Sequence, residues 1–283
     1  MRLFSGPRRL LVREITRLLT TPLPHYDRRV ANDLVNLKRY VRKGDVILVD
    51  GDQRVSLVIK YLTQSSWSHI ALYVGDEAVR RAPERRAELE AAFGMEAEHL
   101  LVEAEMKGVL LSPISKYLHN NIRVCRPYAL RNEDRDRILD ELMGRVGHQY
   151  DLRNIVDLAR YFFPVSLIPR RLRPRALTIG SGEPTAVICS SMIAEAFQNV
   201  GFPILPKVEL LEDPRPPATP WARLLRRNAS RGSRYFREVP TLVTPRDFDI
   251  SPYFEIIKFN VIEQTKFDYR KIHWADRDDV AIG

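Results

Sequence analysis

Two periods of apolar residues run through this chain, and together they assign most of its elements. Strand character marks Val46–Asp50, Gly108–Pro113 and Ile122–Arg126, alternation marks Trp67–Gly75 and Leu100–Glu105, and a last strand runs over Phe254–Phe259. Helical spacing marks Arg28–Arg42 through Val30, Leu34, Leu37 and Val41, and a short helix through Val55, Val58, Ile59 and Leu62. A longer helix follows Asn132, which is placed to cap it, with Glu133 and Asp134 in its first turn and a stripe of Ile138, Leu139, Leu142, Met143 and Val146. Another is centred on Ile155 to Ala159, and Ile114–Leu118 forms a short one.

Near residue 189 an apolar run, Ala186-Val187-Ile188, ends at Cys189 and passes at once into an amphipathic helix. Met192, Ile193, Ala196, Phe197 and Val200 make its stripe, Gly201 stands at the C-cap position and Pro203 follows. Cys189 is thus expected at a helix N-terminus. Between the strands, residues 76–99 are charged and helix-prone and read as an inserted surface helix. Residues 203–240 are rich in proline and then in arginine, and read as a loop or arm wrapped on the domain. Residues 8–20 form a basic amphipathic helix, and Tyr161–Pro169 is an apolar, proline-broken stretch followed by Arg170, Arg171, Arg173 and Arg175.

Composition narrows the class. A chain of 283 residues with 45% hydrophobic content has enough apolar material for a sizeable core. The formal charge of +9 suits an anionic membrane surface or an acidic substrate. Basic motifs interleaved with aromatics are missing, so no nucleic-acid partner is expected. Two cysteines, Cys125 and Cys189, make no disulfide framework and point to a reducing compartment. Neither has a CxxC or CxxH partner, so no metal is expected, and no cofactor is indicated. There is no apolar run of roughly 18 residues and no secretory pattern at the N-terminus. The expected location is cytoplasmic, with peripheral contact at a membrane.

Chemistry concentrates on a few positions. At a helix N-terminus, unpaired N–H groups and the macrodipole favour a thiolate, so Cys189 reads as a nucleophile, against the ordinary reading of a buried structural cysteine. Alternation in Trp67–Gly75 sets Ile70, Leu72 and Val74 on one face and His69, Ala71 and Tyr73 on the other. His69 then lines a groove or is a histidine satisfied within a sheet. Glu103 falls on the face opposite Val102 and Ala104, and Glu105 shares its face. Thiol hydrolysis needs a thiolate, an imidazole to hold its proton and an acceptor to orient the ring.

The order His, Glu, Cys reverses that of papain. Gly44–Leu48, then Ser68-His69-Ile70-Ala71-Leu72-Tyr73-Val74-Gly75, then Val102-Glu103-Ala104 with Gly108-Val109, then Tyr150-Asp151 and Cys189-Ser190 resemble the permuted papain-like hydrolases. The pattern is most similar to the YiiX/YebB-like (YaeF-type) group of the NlpC/P60 superfamily, over about residues 43–255, and Thr244–Phe248 with Ser251-Pro252 is similar to a tail of that group. The resemblance implies an α+β, circularly permuted papain-like fold, with a small antiparallel sheet or half-barrel packed against helices. It implies Cys189 as nucleophile, His69 as base and Glu103 as the orienting group, with Glu105 as its alternative. Tyr150, Ser190 and Ser68 are the substrate-contacting candidates, and the Cys189 backbone N–H is the oxyanion donor.

The domain organisation expected is an N-terminal helical extension (1–42), a hydrolase domain (43–260) and a C-terminal tail (261–283). The function expected is cleavage of an amide or ester through a thioester acyl-enzyme. Its substrate is a small molecule, a peptide or a lipid acyl group. A lipid acyltransferase or acyl hydrolase at a membrane surface, and a non-catalytic binding protein on the same fold, are the alternatives.

Overall fold

The computed structural model describes Arg17 and residues 20–105, 108–148, 188–210 and 233–260. The expected helices at 8–20 and 155–159, the Tyr161–Pro169 stretch with its arginines, Tyr150 and the 261–283 tail lie outside the described residues.

Six antiparallel strands form the central sheet: β1 (Val46–Asp50), β2 (His69–Gly75), β3 (Leu100–Glu105), β4 (Gly108–Pro113), β5 (Asn121–Pro127) and β8 (Phe254–Ile257), in the order β4-β3-β2-β1-β5-β8. The sheet with its packed helices is the α+β architecture expected. β1 is buried along its whole length, because both faces of the sheet are covered. Val46, Leu48, Ile70, Leu72, Leu100 and Val102 face one core, and Ile47, Val49, Ala71, Tyr73 and Leu101 face the other.

The first core is closed by α5 (Asn132–Gly144) and α6 (Ile188–Asn199). The expected stripe of α6 does this: Met192, Ile193, Ala196 and Phe197 are all buried. Gly201 ends the helix with φ +78°, and the Phe202 N–H reaches back to the Phe197 carbonyl at 2.9 Å. Phe197 meets Phe202, Phe248 and Phe254 at centroid distances of 5.4–6.2 Å. Phe248 comes from α7 (Pro245–Asp249), whose start is fixed by Pro245 and by the Asp247 carboxylate accepting the Thr244 N–H at 2.7 Å.

The second core is closed by α1 (Leu34–Tyr40), through Leu37, and by the 3₁₀ turn Ile114–Tyr117. The helix expected from Arg28 therefore starts later. Asn32 donates its amide to the Leu118 and Asn120 carbonyls, and the Arg29 N–H goes to Asn121, so this stretch is tied to a loop instead of to its own next turn. Asp33 then caps the helix, accepting the Asn36 N–H at 2.7 Å.

Three further expectations are corrected. Residues 76–99 form two short helices, α3 (Glu77–Arg81) and α4 (Arg86–Phe93), with 3₁₀ turns at Pro83–Arg85 and Gly94–Glu96. Pro83 and Gly94 (φ +60°) interrupt the helix, and Ala78, Val79, Leu89 and Ala97 belong to the core, so the segment is not a surface insertion. Within the 203–240 arm, β6 (Lys207–Leu210) pairs with β7 (Ser233–Phe236). At α5, Arg131 has the extended backbone of the N-cap and Asn132 is the first helical residue. The helix α2 (Arg54–Thr63) follows β1 as expected.

Candidate active site

His69 opens β2, and Glu103 sits within β3 on the same face. Ala71 is paired with Glu103, so His69 meets Glu103 diagonally across the two strands. His69 Nε2 lies 2.6 Å from Glu103 Oε2. A carboxylate can only accept, so Nε2 carries the hydrogen and Nδ1 is the basic nitrogen of the neutral ring.

Glu103 is fully buried. Burial alone would raise its pKa, but the hydrogen bond and charge of His69, with the charge of Lys116, hold the carboxyl well below the usual carboxylate range. Lys116 Nζ lies 2.6 Å from Glu103 Oε1, and the Tyr117 hydroxyl donates to Oε2. Lys116 also pairs with Glu105. Burial pulls the Lys116 pKa down, yet Glu103 and Glu105 raise it overall, so the ammonium stays charged. Of the two acids that share this face, Glu103 is the one bonded to His69. The two residues that complete its shell, Lys116 and Tyr117, were not singled out in the sequence. A short polar turn between strands gives no periodic signal, and only the three-dimensional contact reveals them.

Cys189 is the second residue of α6, so it lies in the first turn, as expected; the description of Cys189 extends to its backbone only. α6 packs against both β2 and β3, the strands that carry His69 and Glu103. Its apolar stripe meets the Ile70, Leu72 and Val102 face, whereas Glu103 and His69 contact Tyr117 on the other face. His69 stands at the first position of β2.

Ser68 and Ser190 are structural anchors. Ser190 is fully buried and donates to the Val243 carbonyl at 2.6 Å, which fixes α6 to the 3₁₀ turn Pro240–Leu242. Ser68 is buried and accepts the Gly51 N–H at 2.9 Å. Both side chains are thus withdrawn from the surface. Gly51 permits the close turn: a Cβ there would meet Ser56 Oγ at 2.3 Å and Ser68 Oγ at 2.9 Å. Gly51→Ala is expected to destabilise the fold by about 1–3 kcal/mol through overpacking, measured by urea unfolding.

Cys125 lies inside β5, fully buried, and burial, with the nearby Asp249 carboxylate adding to it, pushes its thiol up to about 12. Among the described residues no group of three or more His, Cys, Asp or Glu is placed to hold a metal ion, and no helix is long and apolar enough to cross a membrane.

Residues 40–163 match the family model of the permuted papain-like amidase enzymes, YaeF/YiiX, C92 family. The matched stretch includes His69, Glu103 and Tyr150 and ends before Cys189. That match agrees with the sequence resemblance and supports a cysteine hydrolase in general. The chain is also similar to the metalloprotein yiiX from Escherichia coli O157:H7, at 16% identity and a TM-score of 0.40, over 77% of this chain and 97% of that one. No curated protein matches the chain significantly.

Proposed function

We propose that the protein is a thiol hydrolase that cleaves an amide or ester through a thioester acyl-enzyme, with Cys189 as nucleophile, His69 as base and Glu103 as the residue that orients His69. The observation carrying this reading is the 2.6 Å contact between His69 Nε2 and a fully buried, ionised Glu103, on two strands packed by the helix whose first turn holds Cys189. The imidazole is thereby fixed in the tautomer whose Nδ1 accepts a thiol proton.

In the reaction, the thiolate adds to the substrate carbonyl and forms the carbon–sulfur bond. The tetrahedral oxyanion collapses, the leaving amine or alcohol departs with the proton held by His69, and water, deprotonated by His69, then releases the acid and regenerates the thiol. The Cys189 N–H, in the first turn of α6, is the natural donor to the oxyanion. Peptide amides and lipid acyl groups are both within this chemistry. Peripheral attachment to an anionic membrane belongs to the lipid form of the proposal and rests on the basic charge of the chain.

The test combines a thiol-reactive probe with a panel of peptide amides and acyl esters. Limited alkylation near neutral pH, read by mass spectrometry, is expected to modify Cys189 while Cys125 stays unmodified until the protein is unfolded, because a thiol at about 12 is almost wholly protonated. Faster labelling of Cys125 in the native protein would remove the nucleophile assignment. Turnover of esters but not amides would select the lipid form.

A further inference from the structure

The shell around Glu103 does more than fill space. Its two oxygens are divided between different partners: Oε2 takes His69 and the Tyr117 hydroxyl, and Oε1 takes Lys116. Lys116 and Tyr117 are adjacent on the 3₁₀ turn that follows β4, and the Lys116 ammonium sits 5.0 Å from the Tyr117 ring centroid. One rigid turn therefore presents both groups to one carboxylate.

A buried carboxylate that faced His69 alone would draw a proton onto the ring and hold it as an imidazolium. A protonated His69 cannot take the proton of a thiol. A second cation on the same carboxylate offsets that pull. Among the described residues Glu103 of β3 bonds His69, Lys116 and Tyr117 of the turn bond Glu103, and Glu105 of β3 pairs with Lys116.

We infer that Lys116 and Tyr117 are positioning residues, which aim Glu103 at His69 Nε2 and weaken its hold on a ring proton, so that Nδ1 of His69 works as a base near neutral pH. This rests on the hydrolase reading for its purpose, but not for its physical content. Tyr117 fixes the Oε2 geometry by donating its hydroxyl hydrogen to that oxygen. Lys116 sets the charge, and Glu105 pairs with Lys116.

The experiment is a titration of the His69 imidazole by NMR on the full chain labelled with ¹⁵N-histidine, assigned by comparison with His69→Asn. In Lys116→Met the His69 pKa is expected to rise by about one unit, because one cation a few ångströms away is lost. Lys116→Arg is expected to return it to within a few tenths, and Tyr117→Phe to raise it by less than Lys116→Met does. The acid limb of kcat/KM in Lys116→Met should move up with the titration, with activity recovered at higher pH. An unchanged His69 titration in folded Lys116→Met overturns the inference, as does a loss of activity that is uniform across pH. If Lys116→Met does not fold, Lys116→Gln and Tyr117→Phe carry the same test. If no variant, nor the parent, hydrolyses any substrate, the titration still decides this inference, and the hydrolase reading alone fails.

Discussion

Cys189→Ser is expected to lower kcat/KM by on the order of ten-thousandfold, and His69→Ala by a similar amount. Serine keeps the shape of the side chain but replaces a thiol, a few per cent ionised even without help, by an alcohol that is scarcely ionised. His69→Ala removes the group that accepts and returns the proton. Because nucleophile and base act as one unit, the double variant should be no slower than either single one, a non-additivity that independent structural defects would not produce. Glu103→Gln should fall between these and the parent, since the amide can still hold the ring but carries no charge. That variant also removes one of the two carboxylates paired with the Lys116 ammonium and leaves Glu105, so its stability has to be measured beside its rate. Steady-state kinetics on the best substrate of the amide and ester panel, with unfolding curves for each variant, reads all of this. Cys189→Ser retaining activity within tenfold of the parent would place the nucleophile elsewhere.

Much of this site could be read from residue order alone, because a strand's alternation is a local property. His69, Ala71 and Tyr73 share a face whatever the rest of the chain does, and so do Glu103 and Glu105. What alternation cannot decide is which acid meets the histidine, since both have the same parity. That choice is made by the β2–β3 register, in which Ala71 pairs with Glu103, and by Lys116, which occupies Glu105. The same limit explains the late start of α1. Arg28–Asp33 has helical spacing, but the Leu118–Asn121 loop offers its backbone and side-chain partners from some 90 residues away. In α3, Glu77 is buried because Lys43, Arg80 and Arg81 converge on it, and only two of those three are near in sequence. The breaks at Pro83 and Gly94, by contrast, were written in the chain, and the charged composition of 76–99 masked them.

Phe197→Ala is expected to cost about 3–5 kcal/mol of stability. Phe197 is fully buried and is the ring shared by three partners: Phe202 just beyond the end of α6, Phe248 of α7 and Phe254 of β8. Phe202, Phe248 and Phe254 also touch one another through Phe254, at 5.3–5.6 Å, so they already hold one another in place and cannot collapse far into the space that Phe197 would leave. A cavity that stays open loses both the transfer free energy of the ring and the dispersion contacts around it. The helix concerned is the one whose first turn holds Cys189, while its anchor at that end, Ser190 to the Val243 carbonyl, is untouched by the substitution. Urea unfolding should therefore show a lower midpoint with an unchanged m-value, and the surviving folded fraction should keep the alkylation rate of Cys189. A loss below about 1 kcal/mol would mean that the aromatic cluster does not fasten α6 to the sheet, and that the helix is held at its first turn instead.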